Sequence, residues 1–150
     1  MKYETIHNLS LPKLGFGTSR IGGNLLPNRS RDQYYLFALR SALELGYAHF
    51  DTAELYSLGH SEELIGRAIR ETGAKRESMF ITTKVWPTHL RYKNVLRACE
   101  NSLRRLGTDY IDLYLIHWPN PFITLKDTFR ALNQLVREGR VKHIGVSNFN

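Results

Sequence analysis

The stretch VLRACENSLRRLGTDYIDLYLIH (95–117) carries a helix pattern and a strand pattern back to back. Val95, Cys99, Leu103 and Leu106 recur at spacings of three and four, which places them on one helix face. Gly107 follows, where a chain leaving a helix turns left-handed and a Cβ would be costly. YIDLYLIH (110–117) then reads as a short apolar strand of the kind buried on both faces.

The same order recurs on either side. Gly46, Gly73, Gly107 and Gly139 stand 27, 34 and 32 residues apart, about the length of one strand-helix unit. Amphipathic runs precede the others too: Leu36, Leu39 and Leu43; Leu64, Ala68 and Ile69; Phe129, Leu132, Leu135 and Val136. Ser30, Ser61 and Thr124 (with Asp127 three residues on) are expected as N-caps of the first, second and fourth helices. Apolar segments at 13–19, 47–51, 79–84, 110–117 and 141–147 complete a series of five strands and four helices. Such alternation predicts a parallel sheet with right-handed crossovers, either doubly wound or closed into a barrel. Tyr3, Ile6 and Leu9 predict a small N-terminal hairpin under the sheet, and no linker divides residues 1–150, which read as part of one domain.

Composition narrows the class. With 42% hydrophobic and 23% charged residues the chain reads as a soluble globular protein, and no apolar run reaches membrane-spanning length. The N-terminus lacks the apolar core of a secretory signal, and the single Cys99 can form no internal disulfide, so a cytoplasmic location is expected. Cys99 reads as a core residue and His7 as a surface one; His49, His60, His89 and His143 carry no expected function. The net charge of +7 is interleaved with apolar residues at helical spacing, the pattern of solvated helix faces rather than a nucleic-acid or membrane surface.

Polar residues collect at the strand ends. Asp51, Lys84 and His117 close the second, third and fourth strands, Ser147 and Asn148 follow the fifth, and Tyr56 lies in the loop after Asp51. In α/β barrels that end carries the active site. A phenol has an ordinary pKa near 10, and an ammonium beside it favours the phenolate. A carboxylate can hold that ammonium, and a histidine can orient a carbonyl oxygen. The set can stabilise and protonate an oxyanion but lacks a reductant, so it needs a hydride donor.

The segments HFDTAELYSLGHSEELIG (49–66), ITTKVWP (81–87) and SLRRLGTDYIDLYLIHWP (102–119), with GFGTS (15–19) and IGVSNFN (144–150), resemble the aldo-keto reductase family over essentially the whole chain. The resemblance implies a (β/α)8 barrel of TIM type, of which this chain supplies about the first five strands and four helices. It implies NAD(P)H-dependent reduction of aldehydes or ketones, with NADPH (NADP) the family's usual cofactor, although nothing in this sequence separates it from NADH. Residue by residue, Tyr56 corresponds to the proton donor, Lys84 to its activating cation, Asp51 to that cation's partner and His117 to the group orienting the carbonyl. Ser147 and Asn148 correspond to the positions binding the nicotinamide carboxamide, Gly17 and Thr18 to the first barrel turn near the cofactor, Asp51 to a further cofactor-binding position, and Trp86 to an aromatic lining the substrate pocket. Trp118 and Pro119 are expected to shape their loop, and no metal is expected.

Family members are about twice as long, so the resemblance implies that three further strand-helix units would lie beyond Asn150, among them the adenosine-phosphate loop. As a separate polypeptide the chain is expected to self-associate or aggregate through open edges of its first and fifth strands and to bind the cofactor weakly or not at all, an inactive truncated fragment being an alternative to the reductase reading. Two rival readings are a Schiff-base aldolase built on Lys84, disfavoured because Asp51 would keep the amine charged, and a non-catalytic subunit that senses nicotinamide redox state.

Overall fold

Four helices end where the glycine pattern places them. Gly46, Gly73, Gly107 and Gly139 all take positive φ, between 66° and 84°, and close helices α1 (Asp32–Glu44), α2 (His60–Thr72), α3 (Tyr92–Leu106) and α4 (Leu125–Arg137). The structure, a computed structural model, describes residues 2–6 and 9–149; His7 lies outside them.

The strands are β1 (Tyr3–Ile6), β2 (Leu9–Pro12), β3 (Gly15–Gly17), β4 (His49–Asp51), β5 (Phe80–Val85), β6 (Ile111–Ile116) and β7 (Val141–Val146). The first two form the expected antiparallel hairpin. The other five form one parallel sheet in the order β3-β4-β5-β6-β7, and each helix packs against the next. A doubly wound sheet reverses its strand order at a switch point; this one does not, which is the arrangement of a barrel wall. Among the described residues the wall does not close, so β3 and β7 are each paired on one side only.

Several expected boundaries shift. The first two strands of this sheet are three residues each, shorter than the apolar segments suggest, and β5 runs one residue past Lys84. Ser30 is not a helix cap; its hydroxyl donates to Asn28 Oδ1 (2.7 Å) within a 3-10 turn. Ser61 lies inside α2, behind the left-handed Gly59, and its hydroxyl goes to Thr18 instead. Thr124 holds the N-cap position of α4 but makes no side-chain cap bond among the described residues. Val136, assigned to the apolar face of α4, is 37% exposed.

Alternation along each strand sorts side chains to two faces. Phe50, Ile81, Val85, Tyr114 and Ile116 face the helices and meet Leu39, Ile65, Cys99, Leu103 and Leu132 in one core. Burial there pushes the Cys99 thiol up to about 12, as a core residue requires. On the other face Asp51, Thr82, Leu113 and His143 lie level, with Lys84, Leu115 and Gly145 one step higher. None of the helices among the described residues is long and apolar enough to cross a membrane.

The α2–α3 contact depends on a missing side chain. A Cβ on Gly66 would stand 2.4 Å from the Leu106 carbonyl oxygen and 2.7 Å from that of Arg105. Both are backbone atoms that cannot step aside. Gly66→Ala therefore overpacks the contact, at about 1–3 kcal/mol, which outweighs the roughly 1 kcal/mol gain in helix propensity. Urea denaturation should show a net loss of stability; an unchanged or stabilised variant would mean the helices can separate freely.

Candidate active site

The register of β4 and β5 brings Asp51 and Lys84 together. Lys84 is 6% exposed, and its ammonium donates to Asp51 Oδ1 at 2.6 Å and to the Thr52 carbonyl at 2.8 Å. The same nitrogen lies 5.2 Å from the centroid of the Tyr56 ring. Tyr56 in turn meets His117 edge to face, centroids 5.7 Å apart at 80°. Trp118 stacks on His117 at 6.5 Å and is 49% exposed. The four residues singled out as a reacting set are thus one cluster at the C-terminal ends of the strands.

The loop that delivers Tyr56 is strained. Ser57 and Leu58, the next two residues, have φ of 50° and 54°, a region non-glycine residues rarely occupy. Bonds on both sides hold the turn: the Tyr56 N–H donates to Ala53 O at 3.0 Å, and the Ser57 hydroxyl to Asn24 O at 3.2 Å. Backbone strain of this kind concentrates at functional sites. Nothing in the letters YSLG announces it.

His117 has its Nδ1 buried and without a hydrogen-bond partner among the described residues. Burial pushes its pKa below the ordinary value of 6.5, the Lys84 cation adds to that, and Asp51 opposes it. Burial likewise lowers His49, whose Nε2 lies 3.0 Å from Thr82 Oγ1 beneath the cluster. A Cβ on Gly15 would stand 2.9 Å from His49 Nδ1, so that glycine makes room for the ring.

The other singled-out residues divide. Asn148, in the left-handed region at φ 59°, donates from Nδ2 to the His117 carbonyl (2.8 Å) and to Ser147 Oγ (3.0 Å). Ser147 is held by its N–H to Ile116 O at 2.8 Å. Gly17 is exposed, with no atom of the described residues within 4 Å of the place a Cβ would take. Thr18 is fully buried: its hydroxyl donates to Asp51 O at 3.0 Å and accepts from Ser61, so its side chain braces β4 and faces the interior. Trp86 is half-buried in the loop after β5, two residues past Lys84. A cleft of about 890 Å³ opens beside Gly17, between Phe16, Ile21, Leu25 and Tyr35, at the unpaired edge of β3.

Sequence reading missed the residues behind the cluster. Glu62 is completely buried and accepts from Thr83 Oγ1 and Arg105 Nε, both at 2.6 Å. Glu54 accepts from the Trp86 N–H at 2.9 Å. His60, assigned no function, is a buried tie between Asp32 (2.8 Å) and Glu63 (2.7 Å). Only the motif DTAELYSLGHSEE contains them, and it does not say what they touch.

A sequential parallel wall, with a buried cation–carboxylate pair, a tyrosine and a histidine at its upper rim, defines an α/β-barrel enzyme-type site. Comparison with known proteins agrees with that class. The aldo/keto reductase family profile matches residues 13–150, and the chain belongs to that family. It is 44% identical to the 9,11-endoperoxide prostaglandin H2 reductase of Trypanosoma cruzi (strain CL Brener), over 97% of this chain and 47% of that one. It is 41% identical to the glyoxal reductase of Bacillus subtilis (strain 168), over 96% of this chain and 48% of that one. Against the methylglyoxal reductase YeaE of Escherichia coli (strain K12) the identity is 40%, over 95% and 48%. A thermostable aldo-keto reductase crystallised with the inhibitor epalrestat superposes with a TM-score of 0.95 at 51% identity, covering all of this chain and 55% of that one. An aldo/keto reductase from Klebsiella pneumoniae, in complex with NADP and acetate, superposes at 0.84 with 40% identity, over 95% and 48%. The chain spans about half the length of the curated relatives it matches. These neighbours are (β/α)8 barrels, of which the five-stranded wall is a part.

The depressed His117 pKa has two consequences. The folded ring charges less readily than the unfolded one, so the stability it contributes is intact above pH 6.5. That contribution falls as the pH drops from there through the folded midpoint. Lys84→Met removes a depressing cation and leaves Asp51, so the His117 midpoint should rise. An NMR titration of the imidazole reads it; a midpoint that stays or falls would contradict the electrostatic account.

Proposed function

We propose that the protein reduces aldehydes or ketones to alcohols with a nicotinamide cofactor, Tyr56 giving the proton and Lys84, Asp51 and His117 supporting it. The observation that carries this reading is the cluster itself: a buried ammonium, fixed by Asp51, lies against the ring of a tyrosine that also touches a histidine. NADPH is favoured over NADH because related structures carry NADP or NADPH.

The residues present fit such a cofactor. A carboxamide needs one acceptor and one donor, and the Asn148 amide oxygen with the Ser147 hydroxyl offers both. Both stand at the end of β7, beside His117. Gly17 leaves open space at the other rim of the sheet. When bound, the cofactor supplies the hydride to the carbonyl carbon.

The chain's own groups do the rest. His117 is kept neutral by burial and by Lys84; with Nδ1 enclosed, its Nε2 is the nitrogen that faces the substrate and donates to the carbonyl oxygen. The Tyr56 hydroxyl gives its proton to that oxygen as charge develops on it. The Lys84 ammonium, 5.2 Å from the ring centroid, favours the phenolate left behind. Asp51 and the Thr52 carbonyl hold that ammonium, and this grip disfavours Lys84 as a Schiff-base nucleophile. Trp86 forms one wall of the substrate slot. Relatives named for glyoxal and methylglyoxal reduction suggest a small dicarbonyl as the first substrate to try.

Tyr56→Phe in the protein should cut methylglyoxal-dependent NADPH oxidation by on the order of 10²–10⁴-fold, with NADPH affinity little changed. The ring keeps its packing and only the proton is lost. If the variant retains more than about a tenth of wild-type turnover on that scale, another group is the acid.

A further inference from the structure

Glu54, in the motif DTAELY, is a polar residue beside the cluster that the reaction leaves without a role. Its side chain is 11% exposed, and each carboxylate oxygen is taken. Oε2 accepts the backbone N–H of Trp86 at 2.9 Å; Oε1 bonds His89 Nδ1 at 2.9 Å. The Glu54 N–H donates to the Lys84 carbonyl at 3.1 Å. Three bonds from one residue therefore span two loops, one carrying Tyr56 and the other opening on Trp86. They grip the second loop at both ends of its first turn, since the His89 N–H itself donates to Trp86 O at 2.9 Å.

We propose that Glu54 is a positioning residue: it sets Trp86 at a fixed separation from Tyr56 and thereby sets the width of the slot that takes the carbonyl substrate. This rests on the reductase reading above. Among the described residues the Trp86 N–H bonds only Glu54, and the Trp86 carbonyl only the His89 N–H of the same loop, because ladder bonding stops at Val85. A buried carboxylate accepting an N–H forms a charge-assisted bond, roughly twice as strong as a neutral one. Tyr56 follows Glu54 by two residues, and the strained turn at Ser57 and Leu58 lies directly beyond. A shift of Glu54 would be passed to both walls at once. The substrates most affected are those wide enough to press on the indole, such as aromatic aldehydes; a compact dicarbonyl senses the wall less.

The test uses the full protein labelled with 5-fluorotryptophan, and Glu54→Ala, Glu54→Gln and His89→Ala variants. Glu54→Ala should lower kcat/KM for benzaldehyde by about ten- to a hundredfold, the scale on which small misplacements act, chiefly by raising KM. It should raise that for methylglyoxal less, leave NADPH affinity unchanged and shift the Trp86 fluorine resonance. Glu54→Gln should restore KM and the resonance, because its amide reaches both partners once His89 switches tautomer. His89→Ala, at a half-exposed partner that folding tolerates, should move KM and the resonance the same way by less. An unmoved Trp86 resonance and unchanged KM in the Ala variants would overturn the proposal. Parallel loss of kcat, KM and NADPH affinity that Gln does not rescue would also overturn it, since that is what a merely structural residue gives. Should the wild type reduce no carbonyl at all, the reductase reading fails, while the fluorine shift still reports whether Glu54 holds Trp86.

Discussion

Burying the Lys84 ammonium is the constraint around which this half-wall is arranged. An isolated ammonium in a protein interior costs several kcal/mol, and only close, well-aligned partners offset that. The partners come from the neighbouring strand: Asp51 Oδ1 and the carbonyl of Thr52. They can reach only if β4 and β5 pair with Asp51 level with Thr82, as they do. A slip of one residue in β5 would turn Lys84 to the helix face, against Phe50, Tyr114 and Ile116 of the neighbouring strands, an apolar surface with no carboxylate to compensate the charge. The ion pair therefore fixes the register that aims the loops after both strands.

How much of this could be read from the letters depends on how local the cause is. The four glycines that end helices were legible because a left-handed residue after a helix is a one-residue requirement. The helix faces were legible through their period. Strand limits were less so: Tyr47 is apolar yet precedes β4, its N–H returning to Ala42 O at the end of α1, because apolar character marks burial and not the pattern of hydrogen bonding. The caps failed at Ser30 and Ser61 for a related reason. A serine near a helix start is a cap only when no better partner is in reach, and for Ser61 the buried Thr18 is one.

The reacting groups were legible as chemistry at strand ends, and the resemblance named their roles. The groups that hold them were not. Thr83 to Glu62, Arg105 to Glu62 and Trp86 to Glu54 are contacts between residues 21 to 43 positions apart. No local periodicity encodes such pairs. Buried acids are rare unless paired, so Glu62 and Glu54 could have been suspected only once their helix or loop was known to face inward.

These supports are unevenly shared, and the unevenness has a mechanical meaning. On β5, the Ile81 N–H is taken by Asp112 (3.0 Å), the Thr83 hydroxyl by Glu62 and the Lys84 ammonium by Asp51. Asp112 is itself held by Arg76 and Lys142, and Glu62 by Arg105. Every residue of that strand is buried. The cation thus stands on an element fixed from three neighbouring segments. Tyr56 stands instead on a turn through two unfavourable backbone conformations, tied back by single bonds to Ala53 and, through Ser57, to Asn24. Groups on strands are placed more accurately than groups on loops. The geometry of the pair is consequently set by whatever ties the loop to the strand, and among the described residues the shortest such path is Glu54, bonded at its own N–H to Lys84 O and through its carboxylate to Trp86.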